Sequence, residues 1–374
     1  MLDRVDIKRH RVWLVPLGLL LMVLLVWLVW RASSQPQPIA VGLVAFMSPG
    51  TAIGASEMNA GELFLEEHPE TRIRVRNAYE GIEPDQTVPA IEAALAKETR
   101  FFISSHPSKH AVASLPLFAD DRALMLNVAS TSPVLTGRDD FLLRIAPDAI
   151  QEQQALARFV AQLPGRRLLV LRDTSNPPYT EPAFATFSAA LAAQSRWEII
   201  HHALLVQDFR PDDWQAVMAE PFDALYILAG TFQNAIGNIA QLFHVHHPEA
   251  PILLTPWTRS SAILDTAGAA IERIVLPSLY PARQADPRID DYLTRFTRRF
   301  GYTPGILTLG VRQSLELLDQ AFDAGQTTPA AVRRYLLEHS PHPTSFGPVA
   351  FDAHGDVPGA YPYQFIRDPH AEFQ

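Results

Sequence analysis

The stretch "FFISSHPSKHAVASLPLFADDRALMLNVASTSPVLTG", residues 101–137, decides the fold. It opens with an apolar run and a Ser/His/Lys loop, continues with a helix-like segment, and closes with a second apolar run and a hydroxyl-rich loop. Short apolar runs that alternate with helical segments are typical of an α/β protein with mainly parallel sheets. We therefore predict two strands whose polar loops lie side by side.

The same alternation continues on both sides of this stretch. A first series of strands and helices begins at Ile39 and ends near Pro147, and a second begins at Arg166 and ends near Pro277. Each series is too small to be the whole chain, so the pattern predicts two lobes. Three further helices and a turn-rich hairpin, with a tight turn at residues 352–356, are predicted to follow.

The composition is that of a folded protein. The chain has 374 residues, of which 48% are apolar and only 19% are charged, so it can bury a large core. Cysteine is absent. Its absence excludes disulfides, thiolate metal sites, a cysteine nucleophile and a lipid-acceptor cysteine.

The charge is distributed unevenly. Residues 1–36 carry five basic and two acidic side chains, a net charge of +3, so the chain's −9 leaves −12 on the remainder. Nucleic-acid binding needs clustered cations. The acidic body therefore argues against a nucleic-acid partner.

The N-terminal region predicts a membrane anchor. Residues 12–30, "VWLVPLGLLLMVLLVWLVW", form an uncharged apolar run close to the roughly 20 residues that cross a bilayer core. The basic residues 1–11 are expected to stay in the cytoplasm, and residues 31–38 to link the anchor to the body. A cleaved signal peptide is the alternative, but its apolar region is usually only about 7 to 15 residues long.

Four stretches together resemble a known family: "FMSPGTAIGASEMNAGELFLEE", the stretch of residues 101–137, "FLLRIAPDAIQEQQALARFV" and "FGPVAFDAHGDV". Their order and spacing resemble the type I periplasmic binding proteins, in the leucine/isoleucine/valine-binding branch of ABC-transporter solute receptors. The resemblance covers about residues 39–368.

The resemblance implies a fold of two α/β lobes joined by three crossover segments. It places the crossovers near residues 145–148, 275–278 and 346–351. Lobe 1 would then contain residues 39–146 and 276–347, and lobe 2 residues 147–275 and 348–374.

The resemblance also implies a ligand site in the cleft between the lobes, beside the carboxyl ends of strands. Hydroxyl groups and backbone N–H groups of lobe 1 would hold a ligand carboxylate, and aromatic residues of lobe 2 would complete the site. The residues that match by position are Ser108, Ala129, Ser130 and Thr131 in lobe 1, and Tyr179, Phe232 (or its neighbour Thr231) and Trp257 in lobe 2. In the alternative interpretation, Ser108 and Thr131 only cap a helix and a turn.

One expected feature is missing from this pattern. Amino-acid receptors of this type commonly place Glu or Asp in the loop that here reads Thr-Pro-Trp-Thr-Arg, residues 255–259. An unpaired ammonium in a closed cleft is costly, so a simple branched-chain amino acid is not the expected ligand. Trp257 and Arg259, with Lys109 and His106 across the cleft, favour an aromatic or dicarboxylic acid.

Other chemistry is not expected. The paired His201 and His202 point to opposite faces of a strand, and the histidines at residues 244–247 close a helix, so no zinc site is predicted. No G-x-S-x-G, Walker or H-E-x-x-H motif occurs. We expect neither an enzyme nor a cofactor.

These observations predict a membrane-tethered, extracytoplasmic solute-binding protein. It would close its lobes on a small carboxylate-bearing ligand such as an amino acid, an organic acid or an amide, for an ABC permease or a membrane sensor. It would be single-pass in the inner membrane, with its C-terminal domain in the periplasm or outside the cell. The alternative is a ligand-free protein-interaction or regulatory module of the same fold. The sequence leaves the ligand, the partner and the oligomeric state open.

Overall fold

A computed structural model describes residues 37–46, 52–81, 84–194, 196–359 and 362–373, together with residue 22. The predicted cytoplasmic segment, nearly all of the predicted anchor and most of the linker lie outside these residues. No helix in the described part of the chain is long and apolar enough to cross a membrane. Backbone contacts group residues 40–374 into one compact unit.

Lobe 1 is built on a five-stranded sheet with strand order β2-β1-β3-β4-β5. The pairings of β3 with β1 and β4, and of β4 with β5, are parallel, and every residue of β3 and β4 is buried, which explains their continuous apolar runs. The strands are β1 Ile39–Phe46, β2 Ile73–Gly81, β3 Phe101–Ser104, β4 Leu124–Asn127 and β5 Leu142–Arg144, and the helices between them are α1 Ala55–Glu67, α2 Pro84–Ala96 and α3 Ser108–Ser114.

Lobe 2 is built on a six-stranded sheet with strand order β11-β10-β9-β8-β6-β7. The last strand in the chain pairs antiparallel with β10, and the other pairs are parallel, so the sheet is mixed. The strands are β6 Arg167–Asp173, β7 Glu198–Leu204, β8 Ala224–Leu228, β9 Ile252–Leu253, β10 Ile274–Ser278 and β11 Gln364–Ile366. The helices between β5 and β10 are α4 Ala149–Ala161, α5 Pro177–Gln194, α6 Pro211–Met218, α7 Ala235–His246 and α8 Ala262–Thr266.

The C-terminal helices return to both lobes. They are α9 Pro287–Phe300, α10 Leu307–Asp323, α11 Pro329–Glu338 and α12 Pro369–Phe373. Helix α10 packs on α1 and β3, and α11 packs on β4, so both belong to lobe 1. Helix α12 packs on β10 of lobe 2. Each lobe therefore contains segments that are far apart in the sequence, although the predicted crossover boundaries themselves stay predictions.

A buried ion pair fixes the turn at residues 352–356 to lobe 1. Arg144, which is 1% exposed, donates to Asp356 from Nε at 2.8 Å and from Nη2 at 2.5 Å. The same guanidinium donates to the carbonyl of Ser132 and the hydroxyl of Thr136 in the loop after β4. The pair thus supports the loop in which the site is predicted.

Prolines shape two segments of lobe 2, and one sequence prediction needs correction. Pro177 and Pro178 begin α5, because proline suits the first turn of a helix. The apolar run 251–256 gives only the short strand β9, since the chain turns at Pro256 into a 3-10 helix. The predicted hairpin is not formed by the described residues: the turn at 352–356 is present, but β11 pairs with β10.

Candidate functional site

The two polar loops of lobe 1 are in direct contact. Ser108, the first residue of α3, accepts a hydrogen bond at Oγ from the backbone N–H of Ser132 at 3.1 Å. The hydroxyl of Ser130 donates to the carbonyl oxygen of His106 at 2.6 Å. The loops therefore lie side by side, as the parallel pairing of β3 and β4 requires.

The second loop is shaped by Asn127 at the end of β4. Its side-chain oxygen accepts the backbone N–H groups of Ala129 at 3.0 Å and Ser130 at 2.6 Å. An asparagine side chain that bonds to the backbone two or three residues on stabilises a turn. Asn127 therefore fixes the position of the residues that follow, including Thr131.

The side chain of Thr131 is 1% exposed, and its hydroxyl has no hydrogen-bond partner among the described residues. Its carbonyl oxygen accepts the N–H of Ala149, the first residue of α4, at 2.8 Å. A buried hydroxyl without a partner costs about 1–3 kcal/mol. Thr131 is thus the predicted lobe 1 residue whose side chain retains its full capacity to bind a ligand.

The lobes touch beside this loop. The backbone N–H of Lys109 in α3 donates to the side-chain oxygen of Asn176, which precedes α5, at 3.0 Å. Ile53, in the segment before α1, belongs to the same buried hydrophobic cluster as the core residues of lobe 2. Polar and apolar contacts therefore both join the lobes.

Two predicted aromatic residues of lobe 2 converge on one buried acid, Glu152 in α4. The hydroxyl of Tyr179 donates to Glu152 Oε1 at 2.5 Å, and the indole N–H of Trp257 donates to Oε2 at 2.8 Å. Gln153 donates to Oε1 at 2.7 Å and accepts at its own Oε1 from the hydroxyl of Tyr226 at 3.0 Å. We call these five residues the Glu152 cluster.

Burial shifts the protonation equilibria of this cluster. It raises the pKa of Glu152 from 4.5 to about 7, against the opposing effect of the three donors Tyr179, Trp257 and Gln153. Burial, together with the neighbouring Glu152 carboxylate, holds the pKa of Tyr179 well above its ordinary value. Near neutral pH the tyrosines are therefore protonated donors, and Glu152 changes between its ionised and its protonated form.

Trp257 also reaches across to lobe 1. With Val128, which follows β4, and Gly310 of α10, it lines a cavity of about 10 Å³ between the lobes. This volume holds about one water molecule. The Trp257 side chain thus belongs to both the Glu152 cluster and the contact between the lobes.

Phe232 is fully buried in the hydrophobic core of lobe 2, in the same cluster as Ile53. Its neighbour Thr231 is half-buried. Phe232 serves the packing of lobe 2, and its contact with a ligand stays a prediction.

Two predicted anion-binding residues lie elsewhere. Arg259 is buried, forms an ion pair with Glu372 of α12 and donates to the hydroxyl of Ser278 at 2.6 Å. His106 is fully buried, its ring 4.7 Å from that of His110, and burial lowers its pKa to about 3, so it is neutral. Arg259 therefore pairs with an acid of its own lobe, and His106 adds no positive charge, so these contacts give no support to a role of either residue in binding a dicarboxylic acid.

Glu152 was missed by the sequence analysis. An acid in the first turn of a helix is ordinarily favoured there by the helix dipole, and Asp148 and Glu152 both fit that explanation. Only the packing of α4 against α5 shows that the Glu152 side chain points inward.

The two sheets and the helices on them define a two-lobed α/β fold, and comparison with known proteins gives the family. The family described as Periplasmic binding protein matches residues 38–366, so the chain belongs to the periplasmic binding protein family. The matched family and the similar solved structures are binding proteins, not enzymes. A search of curated proteins gives no significant match.

Solved structures with the same fold include three informative relatives. A leucine-binding protein from Thermotoga maritima has a TM-score of 0.75 and 19% identity, over 88% of this chain and 98% of that one. An ABC-transporter solute-binding protein from Rhodopseudomonas palustris, in complex with 3,4-dihydroxybenzoic acid, has a TM-score of 0.73 and 16% identity, over 86% of this chain and 90% of that one. A branched-chain amino acid transporter substrate-binding protein from Streptococcus pneumoniae, in complex with isoleucine, has a TM-score of 0.73 and 14% identity, over 86% of this chain and 94% of that one.

Proposed function

We propose that this protein is a membrane-tethered, extracytoplasmic solute-binding protein that closes its two lobes on a small carboxylate-bearing ligand. The observation that carries the proposal is the buried Thr131 hydroxyl, which lacks a partner among the described residues and lies in a loop at the carboxyl ends of parallel strands. Ligands of open α/β sheets bind at such ends.

The chemistry of the two half-sites favours a particular class of ligand. Lobe 1 offers Thr131 and the neighbouring loop residues for a carboxylate, while lobe 2 offers the rings of Tyr179 and Trp257 for an apolar body. The Glu152 carboxylate is fully buried and already accepts three hydrogen bonds, which leaves little for a ligand ammonium. We therefore propose an aromatic or otherwise apolar monocarboxylate, in preference to a branched-chain amino acid.

The mechanism is ligand-stabilised closure. A ligand that contacts both lobes favours the closed state by its difference in affinity between the open and closed states. The bond between Lys109 and Asn176 and the reach of Trp257 to Val128 are contacts of the kind that closure needs. No covalent step is required.

Tethering and delivery complete the proposal. The apolar run 12–30 would anchor the protein in the inner membrane with its binding lobes in the periplasm or outside the cell. Bound ligand would then pass to an ABC permease or be reported to a membrane sensor.

Thermal melting of the full chain tests the proposal. Leucine, benzoate, dihydroxybenzoate and dicarboxylates are each added in turn, and a ligand at 100 times its dissociation constant stabilises the fold by about 2.7 kcal/mol. We expect an aromatic acid to raise the melting temperature of the wild type and of Thr297→Ala by the same amount, and that of Thr131→Ala by clearly less, since a tenfold weaker affinity leaves only about 1.4 kcal/mol of stabilisation. Thr297, in α9, is the matched control, since its hydroxyl also lacks a partner in the described part of the chain. A shift of undiminished size in Thr131→Ala would contradict the assigned site.

A ligand-free interaction module is the second candidate. The reach of Trp257 and Ile53 across the lobes favours it, because bulky side chains then take up part of the space between them. The absence of any shift across the panel, followed by capture of an envelope protein by the intact membrane-anchored chain, would establish this candidate in place of the first.

A further inference from the structure

Glu152 connects three separate parts of lobe 2. It lies on α4, Tyr179 lies in the first turn of α5, and Trp257 lies in the 3-10 helix after β9. Both aromatic side chains direct their polar atoms at this carboxylate, at 2.5 and 2.8 Å. The orientation of the two rings is therefore set by an acceptor that neither of their own segments provides.

An ionised carboxylate accepts from both aromatic side chains without donating to either. It accepts at both oxygens and donates nothing, whereas a carboxylic acid or an amide places a donor on one of the two sides. Here Oε1 faces Tyr179 and Gln153, and Oε2 faces Trp257, so each oxygen meets a donor. A proton on Oε1 requires the Tyr179 hydroxyl to reverse its bond and accept, and a proton on Oε2 faces the Trp257 N–H, which can only donate.

We propose that Glu152 is a positioning residue for the ligand-binding wall of lobe 2, and that this wall keeps its form only while the carboxylate accepts from both Tyr179 and Trp257. This inference rests on the proposed function of the cleft. It adds that ligand affinity depends on a group that does not itself contact the ligand.

The surroundings of Glu152 shift its protonation to a pH range in which the protein can be studied. Its pKa is raised to about 7 by burial and, to a smaller extent, by the negative charge of Asp148 at the start of α4. Among the described residues, the other titratable groups that face the cluster are tyrosines: burial and Glu152 hold the pKa values of Tyr179 and Tyr226 well above their ordinary value, and Tyr363 lies close to Tyr179. Between pH 5 and 9 the group of the cluster that changes charge is therefore Glu152.

A ligand-free titration tests the positioning. The intrinsic fluorescence of the full chain is followed from pH 5 to 9, and the Trp257 signal is assigned by comparison with Trp257→Phe. We expect a transition near pH 7 in the wild type that is lost in Glu152→Gln. An unchanged transition in Glu152→Gln would overturn the inference.

A conservative variant covers the case in which Glu152→Gln folds poorly. Tyr179→Phe keeps the ring and removes a donor that lowers the pKa of Glu152, so its transition is expected at a higher pH than in the wild type. A transition at the same pH in Tyr179→Phe would contradict the role of this hydrogen bond.

Binding at two pH values tests the consequence. Benzoate affinity of the wild type is expected to weaken about tenfold between pH 8 and pH 6, the size of one lost hydrogen bond to a charged group. Glu152→Gln is expected to bind more weakly at pH 8 and to show little change with pH. The same pH dependence in wild type and Glu152→Gln would overturn the inference. If no acid binds the wild type at any pH, the proposed function fails, while the fluorescence titration still decides whether Glu152 holds Trp257.

Discussion

The two halves of the cleft are built in opposite ways. In lobe 1, small side chains of two adjacent loops bond to each other and to the local backbone, as Ser108 and Ser130 do. In lobe 2, large aromatic side chains from separate elements converge on the buried Glu152. The difference teaches that loss of one hydroxyl within the lobe 1 loops should have a small effect, whereas the two aromatic side chains of lobe 2 share one buried acceptor and depend on it together.

The largest expected effect is the loss of the ion pair that supports the lobe 1 half of the site. Asp356→Ala leaves Arg144, which is 1% exposed, as a buried charge without its ion partner, and this typically costs about 3–5 kcal/mol. Urea denaturation of the full chain measures the change. Asp120→Ala is the matched control, because its ion pair with Arg122 is exposed and screened by solvent, so its loss should cost much less. Equal losses in the two variants would contradict the supporting role of Arg144 and Asp356.

The next effect concerns the charge of the lobe 2 half. Because the pKa of Glu152 is raised from 4.5 to about 7 in the folded state, the folded state binds this proton more tightly than the unfolded chain. The free energy of unfolding therefore falls as the pH rises from 4.5 to about 7, by roughly 3 kcal/mol at most for this group.

Denaturation at several pH values measures how the free energy of unfolding depends on pH. Glu152→Gln should flatten this dependence without abolishing it, because burial also raises the pKa of Glu57 to about 7, and Glu57→Gln should remove a further part. The pH dependence of Glu152→Gln matching that of the wild type would show that Glu152 titrates as an ordinary exposed acid.

A smaller effect sharpens the comparison at Thr131. Thr131→Ala removes a buried hydroxyl that has no partner among the described residues, together with a buried methyl group, so the two effects oppose each other and the free energy of unfolding of the ligand-free protein should change by less than about 1 kcal/mol. The same variant should weaken ligand binding about tenfold, whereas Thr131→Ser should retain most of the affinity. Denaturation and binding calorimetry measure the two quantities, and a large stability loss with unchanged affinity would make Thr131 a structural residue.

The smallest effect is at Ser108. Ser108→Ala removes the acceptor of the Ser132 N–H and should cost about 1 kcal/mol. Ser188→Ala in α5 is the control, because that hydroxyl has no partner in the described part of the chain. A thermal scan of both variants measures the difference, and equal melting temperatures would contradict the role of this contact between the loops.

The same contrast explains what the sequence could predict. The strands of lobe 1 and its two polar loops were predictable because apolar runs and hydroxyl-rich turns are local signals, and β1 begins at Ile39 as predicted. The convergence of Tyr179 and Trp257 on Glu152 was not predictable, since it depends on how α4 packs against α5 and on the direction of the Glu152 side chain. The ion pair of Arg259 was not predictable for the same reason, because its partner, Glu372, lies far along the chain.

Binding calorimetry on the full chain, with benzoate and leucine compared in the same buffer at pH 8, tests the central claim most directly. We predict one benzoate bound per chain, with higher affinity than leucine and with weaker binding in Thr131→Ala. Tighter binding of leucine, or benzoate binding unaffected by Thr131→Ala, would contradict it.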